Sequence, residues 1–180
     1  AVQSGVLAGL RFVSGDRLLG PLAAAVIATG FFGAGMSAGL PVYAYDEFQG
    51  SARIAGLFYA ALGAGALVGS LVAVLAVRKI APLRLAGFAI LAFVVPLWVL
   101  PFLPPWPVVF VALFAATFFT PLINGPIVAV LTARTPEGLR AMVMTSVISI
   151  NTLAAPLGFL VAGQVLEHWG VVPLFTAVVA

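Results

Sequence analysis

The chain has 180 residues, of which 63% are hydrophobic and only 7% are charged, with a mean hydropathy of +1.24 and a formal net charge of +3. Soluble domains carry about 25% charged residues, so this composition excludes a water-soluble domain and predicts an all-α membrane protein. The absence of cysteine excludes a disulfide framework, a thiolate metal site and a cysteine nucleophile.

The first 17 residues differ from the rest because they mix apolar and charged side chains. Apolar residues recur at helical spacing from Val2 to Val13, while Arg11, Asp16 and Arg17 supply charge. This pattern predicts an interfacial helix or linker over 1–17 that leads into the membrane-spanning part.

Long uncharged stretches follow. A helix needs about 20 mainly apolar residues to cross the hydrocarbon core, and five stretches meet this requirement: 18–41, 54–77, 85–103, 107–131 and 141–166. A sixth apolar run begins at Val171 and reaches Ala180, which as a helix rises only about 15 Å. We therefore predict a transmembrane bundle of six helices over 18–180, the last of them truncated.

The positive charges are unevenly distributed among the loops. Successive connections between the predicted spans lie on alternate sides of the membrane. On one side the only cation is Arg53, beside Asp46 and Glu47. The other side carries the remaining cations, namely Arg11, Arg17, Arg78, Lys79, Arg84, Arg134 and Arg140. Because positive charge is retained in the cytoplasm, this predicts a cytoplasmic N-terminus. It also explains the net charge better than nucleic-acid binding, since no basic run is longer than two residues.

The stretch GAGALVGS (63–70) approximates the Gly-x-Gly-x-x-Gly turn of dinucleotide-binding proteins. It lies inside an apolar run with no strand before it, so the nucleotide site is rejected and no cofactor is predicted. Small residues instead recur every four positions in two spans, at Ala61, Gly65, Gly69 and Ala73, and at Ala154, Gly158 and Ala162. Such stripes allow helix backbones to approach closely, so we predict packing surfaces against another set of helices.

Neutral polar residues occupy one face of the fourth span. Thr117, Thr120 and Asn124 fall at i, i+3 and i+7, next to Pro121 and Pro126. Two interpretations stay open for Asn124: a hydrogen bond between helices, or the wall of a transport cavity near the middle of the bilayer.

An intramembrane serine hydrolase is an alternative from a different class. The stretch GMSAG (35–39) matches the Gly-x-Ser-x-Gly pattern around a nucleophilic serine. Ser37 would need a base, and the only histidine, His168, lies at the end of the fifth span. No carboxylate lies inside any span, so no metal site is predicted. A membrane scaffold without transport activity is a further alternative.

Three segments carry a resemblance to a known family. GLRFVSGDRLLGPL (9–22), TPEGLRAMVMT (135–145) and APLGFLVAGQVLEHWG (155–170) resemble parts of the C-terminal half of drug and siderophore exporters of the major facilitator superfamily. Two departures stand out, because Ala73 and Ala76 replace the acid and the glycine that the superfamily often has after its eighth helix.

The resemblance implies a six-helix half-bundle of a secondary transporter in the cell (inner) membrane, working with a missing N-terminal half by alternating access and driven by an ion gradient, usually of protons. It places the first and fourth spans against the central cavity, and the small stripes against the other half. The implied substrate-binding residues are Asn124, Thr120, Thr117, Thr29, Phe32 and Met36. Because these residues are uncharged, we expect a lipophilic or amphipathic substrate and no enzymatic activity, with the proton-carrying acids in the other half.

Overall fold

A computed structural model describes residues 13, 15, 17, 19–76 and 80–179. In this part of the chain the fold is all-α, which confirms that prediction. The helices are α1 (Leu19–Glu47), α2 (Ala52–Ala76), α3 (Pro82–Leu97), α4 (Trp106–Arg134), α5 (Glu137–Trp169) and α6 (Val171–Val179), with a 3₁₀ turn at Leu100–Phe102. The first five are long and apolar enough to cross a membrane, the third when it is extended through the 3₁₀ turn to Phe102.

The helices extend beyond the apolar stretches that predicted them. The first helix continues past Pro41 to Glu47, and the fifth runs from Glu137 to Trp169 rather than over 141–166. A helix satisfies its own backbone hydrogen bonds, so it can continue into polar flanks where the apolar pattern has already stopped. Most of the predicted interfacial helix over 1–17 lies outside the described residues; within it, Val13 is buried against the bundle.

The direction of each helix follows from which residues touch. A Cβ on Gly30 would meet Asn151, one on Gly158 would meet Phe31, and one on Gly35 would approach Ala162. Along these contacts the residue numbers of the two helices increase together, so α1 and α5 are parallel. By the same criterion α2 is parallel to α4, because Gly65 faces Phe114 and Gly69 faces Phe118.

Consecutive helices therefore alternate in direction, as repeated membrane crossing requires. The short turn at 48–51 makes α1 and α2 antiparallel. Helices α3 and α4 are also antiparallel, since Leu85 shares an apolar cluster with Leu131 while Leu97 shares another with Val109.

The surface of the bundle is apolar. Leu67 of α2, Leu91 of α3 and Leu160 of α5 are 66%, 68% and 68% exposed. In water this much leucine surface would be costly, at about 25 cal/mol per Å², whereas in a bilayer it faces lipid tails. Inside the bundle, large buried side chains such as Tyr43, Phe58 and Phe175 pack together, while small residues such as Ala61 and Ala162 are buried where helices approach closely.

Candidate functional site

The small-residue stripe of α2 is buried against α4. Ala61, Gly65, Gly69 and Ala73 are all buried. A Cβ on Gly65 would lie 3.1 Å from the carbonyl carbon of Phe114, and a Cβ on Gly69 would lie 2.7 Å from that of Phe118. The two backbones thus touch, and only glycine fits at either position.

The stripe of α5 is used in the same way against α1. Ala154, Gly158 and Ala162 are buried, and a Cβ on Gly158 would lie 3.0 Å from the Cβ of Ala34. The expectation that Gly65, Gly69 and Gly158 face a second set of helices is therefore wrong. A spacing of four residues shows that a helix face is smooth, but the facing helix belongs to the same chain.

Three of the predicted cavity residues come together in one groove. Thr29, Phe32 and Met36 of α1 form one wall, together with the small residues Ala28 and Gly33. The opposite wall comes from α3 and α4, namely Ile90, Phe93, Val94, Leu97, Ile123 and Ile127. The groove has a volume of about 280 Å³, and Val178 of α6 lies at one end of it. We call it the α1–α3 groove.

The α1–α3 groove offers almost no polar chemistry. Thr29 carries the one polar side chain among its lining residues, and its hydroxyl donates to the Ala25 carbonyl of its own helix at 2.6 Å. A hydroxyl satisfied in this way adds little attraction for a polar ligand. The groove can therefore hold an apolar group and nothing charged.

The polar face of α4 does not line this groove. Thr117 donates to the Leu113 carbonyl at 2.8 Å, and its hydroxyl oxygen lies against Gly65 of α2. Thr120 is half-buried and Asn124 is exposed. Successive residues of a helix are about 100° apart, so when Ile123 and Ile127 point into the groove, Asn124 points to one side of it.

Asn151 of α5 is a neutral polar residue of the fifth span that was not among the predicted cavity residues. Its Oδ1 is buried and accepts no hydrogen bond from the described residues. A Cβ on Gly30 would lie 3.0 Å from the carbonyl oxygen of Asn151. Glycine at position 30 thus allows α1 to approach α5 closely at this amide, a pairing that no periodicity within either helix could indicate.

Three of the described arginines lie at one end of the bundle. Arg84 lies near the start of α3, Arg134 at the end of α4 and Arg140 near the start of α5, and the helix directions put these three points at the same end. Arg140 Nε donates to the carbonyl oxygens of Thr132 and Thr135 at 3.0 and 3.1 Å. These hydrogen bonds stabilise the turn between α4 and α5. Arg53 lies at the opposite end, and Arg78 and Lys79 lie outside the described residues.

The residues of the hydrolase alternative are not paired. Ser37 accepts the Tyr59 hydroxyl on its backbone carbonyl at 2.8 Å. His168 is exposed at the end of α5, with its Nδ1 3.0 Å from the Gln164 carbonyl oxygen. In the described part of the chain no hydrogen bond joins the two side chains, and no three His, Cys, Asp or Glu residues lie together as a metal site would require.

Comparison with known proteins gives one informative similarity. The chain is 30% identical over 182 residues to the multidrug efflux pump Tap of Mycolicibacterium fortuitum, and the match covers 98% of this chain. The chain spans 43% of the length of that pump. No protein-family model matches the chain, and no solved structure matches it. The similarity and the five apolar helices together support a multi-pass membrane protein.

Proposed function

We propose that residues 18–180 form the C-terminal transmembrane half of a major facilitator superfamily transporter that exports lipophilic or amphipathic small molecules. The observation that carries this proposal is the similarity to a multidrug efflux pump along 98% of the chain. Five spanning helices of alternating direction are consistent with such a half. The proposal includes a six-helix N-terminal half, against which this bundle rocks in alternating access.

The exposed amide of Asn124 supports a polar cavity beside α4. Asn124 lies ten residues before the end of α4 at Arg134, which is about 15 Å along the helix and so near the middle of the bilayer. Leaving an amide without partners costs roughly 1–3 kcal/mol by mutational estimates. We therefore propose that this face of α4 meets water, substrate or the other half rather than lipid.

Export driven by protons is the form of the proposal that can be tested most directly. In the whole protein, expressed in a host without its major efflux pumps, we expect extrusion of lipophilic dyes that stops when an ionophore collapses the proton gradient. Extrusion that persists without the gradient would contradict proton coupling, and no extrusion of any dye in a broad panel would contradict the exporter proposal itself.

In that assay we expect Asn124→Leu to change the apparent affinity for some substrates by roughly tenfold, equivalent to about 1.4 kcal/mol. The reason is the loss of one amide partner while the helix and its apolar contacts remain. Val128→Leu, one turn further along the same exposed side of α4, is the matched control. Protein abundance is measured in parallel. Unchanged transport of every substrate, or a loss of folded protein, would show that Asn124 has a structural role.

We also propose that the end of the bundle carrying Arg84, Arg134 and Arg140 faces the cytoplasm of the cell (inner) membrane, because positive charge is retained there. Residues 1–180 contain no cysteine, and any cysteine elsewhere in the whole protein is replaced by serine before labelling. We expect Gly138→Cys to react with an impermeant maleimide only from the cytoplasmic side and Ala52→Cys only from the outer side. Both positions are exposed, and labelling of both from one side would overturn the orientation.

A further inference from the structure

The side-chain amide of Asn151 is held at the edge of the contact between α1 and α5. Its Oδ1 is buried and has no hydrogen-bond partner among the described residues. This oxygen lies against Gly30, where an added Cβ would collide with it, so a Cα hydrogen of that glycine points at it as a weak donor. An oxygen enclosed in this way is closed to a ligand.

The nitrogen end of the same amide is accessible. Asn151 is partly buried as a whole residue, and its Nδ2 is neither enclosed by the described residues nor hydrogen-bonded to them. An asparagine side chain ordinarily offers both an acceptor and two donor hydrogens. Because Oδ1 is buried, this side chain presents only its donors.

The neighbours of Asn151 on α5 show the side to which its amide opens. Successive residues of a helix are about 100° apart, which places Val147 and Ala154 to one side of Asn151 and Ile148 and Thr152 to the other. The first two residues are buried, whereas Ile148 is 57% exposed and Thr152 is also exposed. The Nδ2 group therefore opens on the face of α5 that carries Thr152.

This exposed face of α5 is polar but uncharged. It includes Thr145 and Thr152, and the Thr152 hydroxyl donates to the Ile148 carbonyl at 2.9 Å, which leaves its oxygen as an acceptor. Asn151 lies close to the middle of the 33-residue helix. An amide that faced lipid tails at this depth would be without partners, which favours a solvated cavity over lipid beside this face.

We propose that Asn151 determines substrate specificity, and that its NH₂ group donates to a carbonyl, ester or ether oxygen of an uncharged substrate. This inference rests on the proposed transport function and narrows its substrate class. A donor held in place at Gly30 discriminates against molecules that have no acceptor, because their binding leaves the NH₂ group desolvated and unpaired.

The first experiment compares two probes in the whole protein. Nile red is a neutral dye with a carbonyl acceptor, and tetraphenylphosphonium is a lipophilic cation without a hydrogen-bonding atom. Asn151→Leu keeps the number of side-chain heavy atoms and removes the donors. We expect it to weaken the apparent affinity for Nile red at least fivefold, while the affinity for tetraphenylphosphonium changes less than twofold.

Two further variants complete this comparison. Asn151→Ala removes the amide without bulk beside Gly30, so it should show the same discrimination even if the leucine variant does not fold. Leu153→Ala, on the far side of α5 and 67% exposed, is the control that should leave both affinities unchanged. Equal changes for the two probes, or no change for either, would overturn this inference and leave the exporter proposal standing. A wild-type protein that extrudes neither probe would also overturn it, and the wider dye panel then decides the exporter proposal.

The second experiment tests the surroundings of this face without a transport measurement. Thr152→Cys and Leu153→Cys are compared in the cysteine-free whole protein, in open membrane fragments that a charged thiosulfonate reagent reaches from both sides. The thiolate is the reactive form of cysteine, so reaction requires water. We expect position 152 to react at least tenfold faster than position 153, and saturating Nile red to slow the reaction at 152 at least threefold. Equal rates at the two positions, or no protection by Nile red, would overturn the proposal.

Discussion

Gly69→Leu should reduce the yield of folded, monodisperse protein at least tenfold. A side chain at position 69 would have its Cβ 2.7 Å from the carbonyl carbon of Phe118. That carbonyl belongs to the backbone of α4 and cannot turn aside as a side chain can. The clash can be relieved only by separating α2 from α4, the pair of helices in most extensive contact. Overpacking costs typically about 1–3 kcal/mol, and a rigid backbone contact belongs at the upper end, which is about a hundredfold in an equilibrium constant.

The matched control is Gly63→Leu on the same helix. An added Cβ at position 63 meets nothing within 4 Å, and the change in helix propensity is the same at both positions. Yield is measured by size-exclusion chromatography of a fluorescent fusion in mild detergent. If Gly69→Leu gives as much folded protein as Gly63→Leu, the close α2–α4 contact does not exist in the membrane.

Tyr43→Ala should have the second largest effect, through loss of an aromatic cluster. Tyr43 is fully buried. Its ring stacks on Phe58 of α2 at 6.0 Å between centroids and meets the edge of Phe175 of α6 at 5.8 Å, while its hydroxyl donates to the Pro104 carbonyl. One side chain thus joins α1, α2, α6 and the segment before α4.

We expect Tyr43→Ala to lower the free energy of unfolding by on the order of 2 kcal/mol. The side chain stays in lipid when the protein unfolds, so the substitution loses mainly packing contacts and leaves a cavity. For a chain of this size, that lowers the melting temperature by about 4–8 °C. Tyr43→Phe keeps the ring and loses only the hydrogen bond, so we expect about 1 kcal/mol. Thermal unfolding in detergent measures both variants. A phenylalanine variant as unstable as the alanine variant would show that the hydrogen bond matters and the ring packing does not.

The order, number and approximate ends of the helices were predictable from the sequence alone. Each membrane helix makes all its backbone hydrogen bonds within one segment, so a long apolar run is sufficient evidence for it. The uneven distribution of charge among the loops was also visible in the sequence. The structure brings Arg84, Arg134 and Arg140 to one end because the helices alternate in direction. The sequence also identified Gly65 and Gly69 as positions of close helix contact.

Only the tertiary structure decided which surfaces meet. Gly69 packs on Phe118 of α4 and Gly30 packs on Asn151 of α5. The two residues of each pair lie far apart in the sequence. In lipid, an apolar side chain gains nothing from transfer out of its surroundings, so hydrophobicity does not mark the inner face of a helix. For this reason the α3 wall of the groove, built from Ile90 and Val94, carried no sequence signal. The partner of each helix is chosen by the shape of its surface, and shape appears only when the helices are packed together.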